Sequence, residues 1–347
     1  MKSPYPYPGG KSKITPEVWK RFGRVKNVTD PFFGSGAFIL GNPYWFPGCD
    51  IIETVNDKDG FISNFWRAVQ SAPDEVAKFA DWPVNENDLH ARHSWLLGQR
   101  ETIVPKLEGN PDFYDAKVAG WWVWGMCCWI GSGFCSGNGP WVVNEAGELV
   151  NGREGGVKRQ RPSLQDAGRG VNRQGVHLGS AGQGINRKMV HLVPGGNGMQ
   201  TEKVGDNLYA MMRELSDRLR RVRVCSGDWS RICGPTPTFK NGLTAVFLDP
   251  PYNADADREG DLYRVDDLDV SNAVREWAIA NGDNPMMRIA LCGYEGEHEL
   301  PTDWECLSWK ANGGYGSQGD GRGRENAKRE RVWFSPHCVK VGASLFD

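Results

Sequence analysis

The chain has 347 residues, of which 39% are hydrophobic and 24% charged, with a formal net charge of −2. That length accommodates one core plus a large insertion or second domain, the composition is that of an ordinary folded soluble protein, and the charge argues against a uniformly basic nucleic-acid binder. A local basic stretch would still suffice for DNA, because phosphate contacts act over about 8–10 Å. The first residues, Met1-Lys2-Ser3-Pro4-Tyr5-Pro6, lack the apolar run of a signal peptide. The most apolar segment, Val118 to Ile130, spans 13 residues. About 20 are needed to cross a bilayer, so it reads as a buried helix. Nine cysteines without paired CxxC spacing suit a reducing cytosol. Cys127, Cys128 and Cys135 have no histidine at ligand spacing, so they read as small buried hydrophobes and no metal is expected.

Three zones follow one another. In residues 1–80, Thr15-Pro16 reads as a helix start, with Thr15 as N-cap. Val25 to Phe32 reads as a strand running into a glycine turn and a short apolar helix, Ala37 to Leu40. Asp50 to Val55 reads as a second strand, and Asp59 to Gln70 as a helix with Phe61, Phe65 and Trp66 at helical spacing. In residues 81–204, helical patterns cover 86–107 and 112–130; beyond them glycine becomes frequent and apolar periodicity fades. Residues 151–190 are markedly basic, either a flexible polar insertion or a DNA-contacting region. Arg159, Arg161, Arg173 and Gln174 are the candidate DNA-binding residues there. In residues 205–347 alternation returns: a helix at Asp206–Arg221, strands at Val222–Ser226 and Thr244–Leu248, a helix at Leu268–Asn281, then strands near Met287–Cys292, Trp304–Trp309 and Arg331–Ser335. Strands alternating with helices on both sides of an insertion predict one doubly wound α/β domain, interrupted once.

The sharpest motif is Asp249-Pro250-Pro251-Tyr252, at the end of the apolar run Ala245-Val246-Phe247-Leu248. Ligand sites in open α/β sheets lie at the carboxyl ends of strands. An acid, two prolines and an aromatic there make a rigid polar edge beside a flat ring, which suits an amine on a planar base. The Asp249 carboxylate and the Pro250 carbonyl can accept the two N–H bonds of adenine N6, aiming its lone pair at an electrophile. Tyr252 can stack on a base flipped out of the duplex. The same four residues also fit a plain strand-ending turn.

Asp30-Pro31-Phe32-Phe33-Gly34-Ser35-Gly36 follows the first strand. Its glycines permit a tight turn and close backbone approach to a ligand. It is not a dinucleotide fingerprint, because Ile39 stands where the third glycine belongs. Asn56-Asp57 ends the second strand, where an acid can hold ribose hydroxyls or can cap the following helix. Lys11, in Gly9-Gly10-Lys11, is either an ordinary surface lysine or a contact to a cofactor carboxylate or DNA. Asp228, in Gly227-Asp228-Trp229, is either a turn acid or the acceptor for a cofactor adenine amine.

Together these segments resemble the Dam-like, alpha-group adenine-N6 DNA methyltransferases. Tyr7-Pro8-Gly9-Gly10-Lys11 is similar to that family's N-terminal motif, Asp30 to Gly36 to its S-adenosylmethionine (SAM) loop, Asn56-Asp57 to its ribose-binding acid, and Asp249 to Tyr252 to its catalytic tetrapeptide. Their order also matches, with the target-recognition insertion between SAM loop and tetrapeptide. The resemblance implies a Rossmann-like SAM-dependent methyltransferase sheet interrupted by that insertion, acting on double-stranded DNA in a bacterial or phage-infected cytoplasm as a monomer or weak dimer. It implies catalysis by Asp249, Pro250 and Tyr252. Cofactor contacts would come from Lys11, Asp30, Phe33, Gly34, Gly36, Asp57, Asp228 and Asp249. Cytosine-N4 enzymes resemble Ser-Pro-Pro and protein-glutamine enzymes Asn-Pro-Pro-Tyr at the tetrapeptide, so Asp249 favours adenine. RNA adenine, and a non-enzymatic DNA-binding protein built on the same fold, are the rival readings.

Overall fold

Thr244–Leu248 (β6) is buried at every position because it runs through the middle of a seven-stranded sheet. Its alternating side chains feed two different cores. Ala245 and Phe247 join the larger one; Val246 and Leu248 join the smaller, with Val274, Ala278, Ile289 and Leu291. A strand buried on both faces reads as a near-continuous apolar run, here Ala245 to Leu248 after Thr244.

The computed structural model describes residues 1–7, 9–129, 134–135, 141–143, 149–151, 202–251, 269–310 and 329–341; for 141–143, 149–151 and 202–206 it describes the backbone alone. The elements are α1 (Thr15–Phe22), β1 (Asn27–Asp30), α2 (Ala37–Leu40), β2 (Ile52–Asp57), α3 (Gly60–Ser71), α4 (Pro73–Ala80), α5 (Glu86–Gly109), α6 (Ala116–Cys128), β3 (Trp141–Val143), β4 (Leu149–Asn151), α7 (Glu202–Leu219), β5 (Val222–Ser226), β6, α8 (Val270–Gly282), β7 (Met287–Tyr294), β8 (Glu305–Ser308) and β9 (Glu330–Phe334). The fold is mixed α/β. The main sheet has the order β5-β2-β1-β6-β7-β9-β8, and β3 and β4 form a separate antiparallel pair. Strands β5, β2, β1, β6 and β7 are mutually parallel, while β9 runs antiparallel between β7 and β8. The chain builds outward from β1 to β2 and β5, then returns to place β6 on the other side. The crevice between β1 and β6 is therefore a topological switch point.

Helices cover both faces. Helix α6 is buried along most of its length through Val118, Ala119, Trp122, Val123 and Trp124. It packs in the same core as α3 and α4, which explains the apolar run as an interior helix. Among the described residues no helix is long and apolar enough to cross a membrane. Helix α7 is tied to β2 by a buried ion pair. The Arg218 guanidinium donates to both Glu53 oxygens at 2.6 and 2.8 Å and to the Ile39 carbonyl at 2.7 Å. Two buried charges remain tolerable because they are paired in this bidentate way.

One local expectation changes, and one helix is added. Thr15 is not the N-cap of α1: Ile14 already has helical dihedrals, and the Thr15 hydroxyl donates to the Lys11 carbonyl at 2.9 Å. The turn after Lys11 thus feeds straight into the helix. Helix α4 follows α3 after a single residue, Ala72, with Pro73 opening its first turn.

Candidate active site

The carboxyl ends of the parallel strands carry Asp30 on β1, Asp57 on β2, Gly227-Asp228 after β5 and Asp249 after β6. Parallel register puts them all along one edge of the sheet. Asn56 stitches this edge together: its side-chain amide donates to the Pro31 carbonyl at 3.2 Å and to the Gly227 carbonyl at 3.0 Å. The loops after β1 and β5 are joined to the end of β2 through this one buried side chain, a role that the Asn56-Asp57 motif did not reveal.

The glycine turn is held from both sides. Asp57 accepts the Gly34 N–H on one carboxylate oxygen at 2.9 Å and the Asp59 N–H on the other at 2.9 Å. The Gly34 carbonyl accepts the Tyr5 hydroxyl at 2.7 Å and the Trp66 indole N–H at 3.0 Å. Gly34 has φ +47°, and a Cβ there would lie 2.8 Å from the Tyr7 ring. Glycine is thus required twice, by backbone conformation and by the close approach of the N-terminal segment. Gly36, at φ 72°, begins the short helix α2. The Phe33 ring is 4% exposed and packs against Trp66, so its side chain belongs to the core. Its half-buried neighbour Phe32 instead stacks on Trp229, with centroids 6.3 Å apart and planes at 27°. Two adjacent phenylalanines in an aperiodic turn do not reveal by sequence which one faces inward.

Lys11 is not a surface lysine. It is 3% exposed, and its ammonium sits 2.9 Å from Asp249 Oδ1 and 3.8 Å from Glu330 Oε2. It also donates to the Gly9 carbonyl at 2.8 Å. The N-terminal segment therefore touches both halves of the edge, the glycine turn through Tyr5 and Tyr7 and Asp249 through Lys11. Glu330, at the start of β9, lies in no motif of its own, so no sequence signal marked it.

Asp30 is buried, and its carboxyl is pushed well above the usual carboxylate range. Burial is the main cause and the neighbouring Asp249 carboxylate adds to it, while the Phe32 N–H bond works the other way. Asp30 and Asp249 are thus two acids close enough to disfavour each other's charge at this edge. Asp228 is exposed and caps the 3₁₀ turn Trp229–Ile232, accepting from the Ser230 N–H at 2.9 Å and from the Ser230 hydroxyl. The Ser230 hydroxyl bond is the first cause that lowers its pKa. Among the described residues no group of three or more His, Cys, Asp or Glu side chains is disposed to hold a metal ion.

Pro250 is buried and Asp249 half-buried at the end of β6, while Tyr252 lies outside the described residues, as do Arg159, Arg161, Arg173 and Gln174. The chain matches no protein-family model, and no curated protein matches it.

Proposed function

We propose that this chain is a SAM-dependent DNA methyltransferase that acts on adenine N6. The observation that carries the reading is the convergence of Asp30, Asp57 and Asp249 at the carboxyl edge beside the switch point, with Asp249 fixed by Lys11.

The residues fit SAM chemically. The methionine end of SAM carries an ammonium and a sulfonium, and a buried Asp30 beside Asp249 is a site where a cation relieves like-charge repulsion. The Asp57 oxygens each accept one backbone N–H, and a carboxylate oxygen has capacity for a further donor such as a ribose hydroxyl. Asp228, with Phe32 and Trp229 beside it, suits the amine and flat face of an adenine. When bound, SAM supplies an electrophilic methyl group.

The chain's own contribution to transfer is the hydrogen-bonding edge after β6. The N6 lone pair of adenine is delocalised into the ring and is a poor nucleophile. The Asp249 carboxylate and Pro250 carbonyl accept the two N–H bonds, favour a pyramidal nitrogen and stabilise the positive charge that develops on it. A flipped base is needed, because N6 is inaccessible to such an edge inside the duplex; Tyr252 is the residue that stacks on it. The basic segment 151–190, through Arg159, Arg161 and Arg173 and the neutral amide of Gln174, supplies phosphate and base contacts in this reading.

The test is product analysis. Purified chain, SAM and mixed-sequence duplex DNA or RNA are incubated, and the polymers are digested to nucleosides. N6-methyladenosine in its deoxy form, from DNA alone, is the expected product. Methylation of RNA only, or SAM binding without transfer to either polymer, would replace this reading with one of its rivals.

A further inference from the structure

Asp249 is gripped by a lysine that is itself gripped by a second acid. Lys11 Nζ lies 2.9 Å from Asp249 Oδ1 and 3.8 Å from Glu330 Oε2, and also donates to the Gly9 carbonyl at 2.8 Å. Lys11 and Glu330 are nearly inaccessible, at 3% and 4% exposure. The Trp309 ring, 5.9 Å away, covers the ammonium. A buried ammonium is costly unless its charge is balanced and its N–H groups are bonded. Here the partners come from three separate places: the N-terminal loop, the end of β6 and the start of β9. The nearer of the two acids is the one at the site's edge.

We propose that Lys11 and Glu330 are positioning residues for Asp249, resting on the reading of Asp249 as the group that accepts the adenine N6 hydrogen bond. Lys11 binds Oδ1 and so fixes the rotation of the carboxylate and which oxygen faces the reacting amine. Glu330 fixes Lys11 by drawing its ammonium to the β9 side. On this assignment Lys11 contacts neither DNA nor the SAM carboxylate; it acts through Asp249. Hydrogen-bond acceptors that stabilise developing charge depend on sub-ångström placement, and a misplacement of about 1 Å costs on the order of 100-fold in rate.

The experiment compares the full-length wild type with Lys11→Met, Lys11→Arg and Glu330→Gln. Single-turnover methyl transfer to DNA and SAM affinity by calorimetry are both measured. The expected result for Lys11→Met is a rate loss on the order of 10- to 100-fold with SAM affinity within about threefold of wild type. Lys11→Arg, which keeps charge and donor, should recover part of the rate. Glu330→Gln should lose rate to a smaller degree, again without loss of SAM affinity. If Lys11→Met fails to fold, Glu330→Gln decides alone by the same two measurements. A rate within twofold of wild type for the deciding variant overturns the proposal. So does a rate loss matched by lost SAM affinity, which would make Lys11 a cofactor ligand. A wild type that methylates DNA while these variants behave normally leaves the proposed function standing and removes only this inference. A wild type that transfers no methyl group overturns both.

Discussion

Asp57 holds the backbone of Gly34: its carboxylate accepts the Gly34 N–H at 2.9 Å across the gap between β2 and the turn after β1. Its other oxygen accepts the N–H of Asp59, the residue whose own carboxylate caps α3 through the Phe61 N–H. An acid at the end of the second strand is therefore part of the site's scaffold as well as a candidate ribose ligand. The two roles are compatible, because a carboxylate oxygen can accept more than one hydrogen bond.

Replacing Asp57 with Ala leaves two backbone donors without their acceptor. Stability should fall by about 1–3 kcal/mol, and SAM affinity should fall with it because the glycine turn loosens. Asp57→Asn, which keeps one acceptor oxygen, should recover part of the stability. Urea unfolding and calorimetry on the same preparations check this. If Asp57→Ala were as stable as wild type, the turn would not depend on this bond.

Asp30 gives a proton signature. Its folded pKa is raised, by burial first and by Asp249 second. In the ligand-free protein it therefore contributes stability that is lost as pH rises through its folded pKa. A bound cation lowers that pKa again. SAM binding should then release protons at pH values between the bound and free pKa, and affinity should rise with pH across that window before levelling. Calorimetry in buffers of different ionisation enthalpy measures the release directly. Asp30→Asn should abolish it, and should stabilise the ligand-free protein at high pH. Proton uptake on binding, or no change with Asn, would contradict the assignment.

His93 works in the opposite direction, away from the site. Its ring packs between Trp129 and Phe134, with centroids 4.6 and 5.1 Å away, and accepts the Cys135 N–H at 3.4 Å. Burial, followed by the neighbouring His90, lowers its pKa to about 4. The unfolded chain therefore takes up a proton that the folded chain refuses. Stability is full above about pH 6.5 and should fall as pH drops toward 4, at about 1.4 kcal/mol per pH unit. Burial also pushes His298 down, with the same sign, so the informative quantity is the difference in slope between wild type and His93→Leu. Urea titrations at pH 7, 6 and 5 supply it; parallel slopes would show that His93 is not the group responsible.

Much of the sheet was legible because its inner strands obey simple physics. The run Ala245 to Leu248 is apolar throughout and ends in a proline-stiffened turn, and the glycines at 34 and 36 announce a backbone that β-carbons would obstruct. The long helices α5 and α6 were visible for the same reason, since apolar residues recur over many turns. What escaped depends on distant contacts. The ion pair between Lys11 and Asp249 joins the chain's first loop to the end of β6, and neither residue carries a local sign of the other. Glu330 becomes meaningful only once β9 is inserted beside β7. Helix α4 was missed although Pro73 opens it as Pro16 opens α1, because only Ala72 separates it from α3, and β3 and β4 were missed because three-residue strands hold little pattern.

The most direct measurement is the turnover of Asp249→Ala on DNA alongside its affinity for SAM. Asp249 stands at the end of β6, held at 2.9 Å by Lys11. If it accepts the N6 hydrogen bond as positive charge develops, N6-methyladenine formation should fall by roughly 10²–10³-fold or more, while SAM binds with near-normal affinity. Near-normal turnover in Asp249→Ala would contradict the account, because no other residue in it takes over that hydrogen bond.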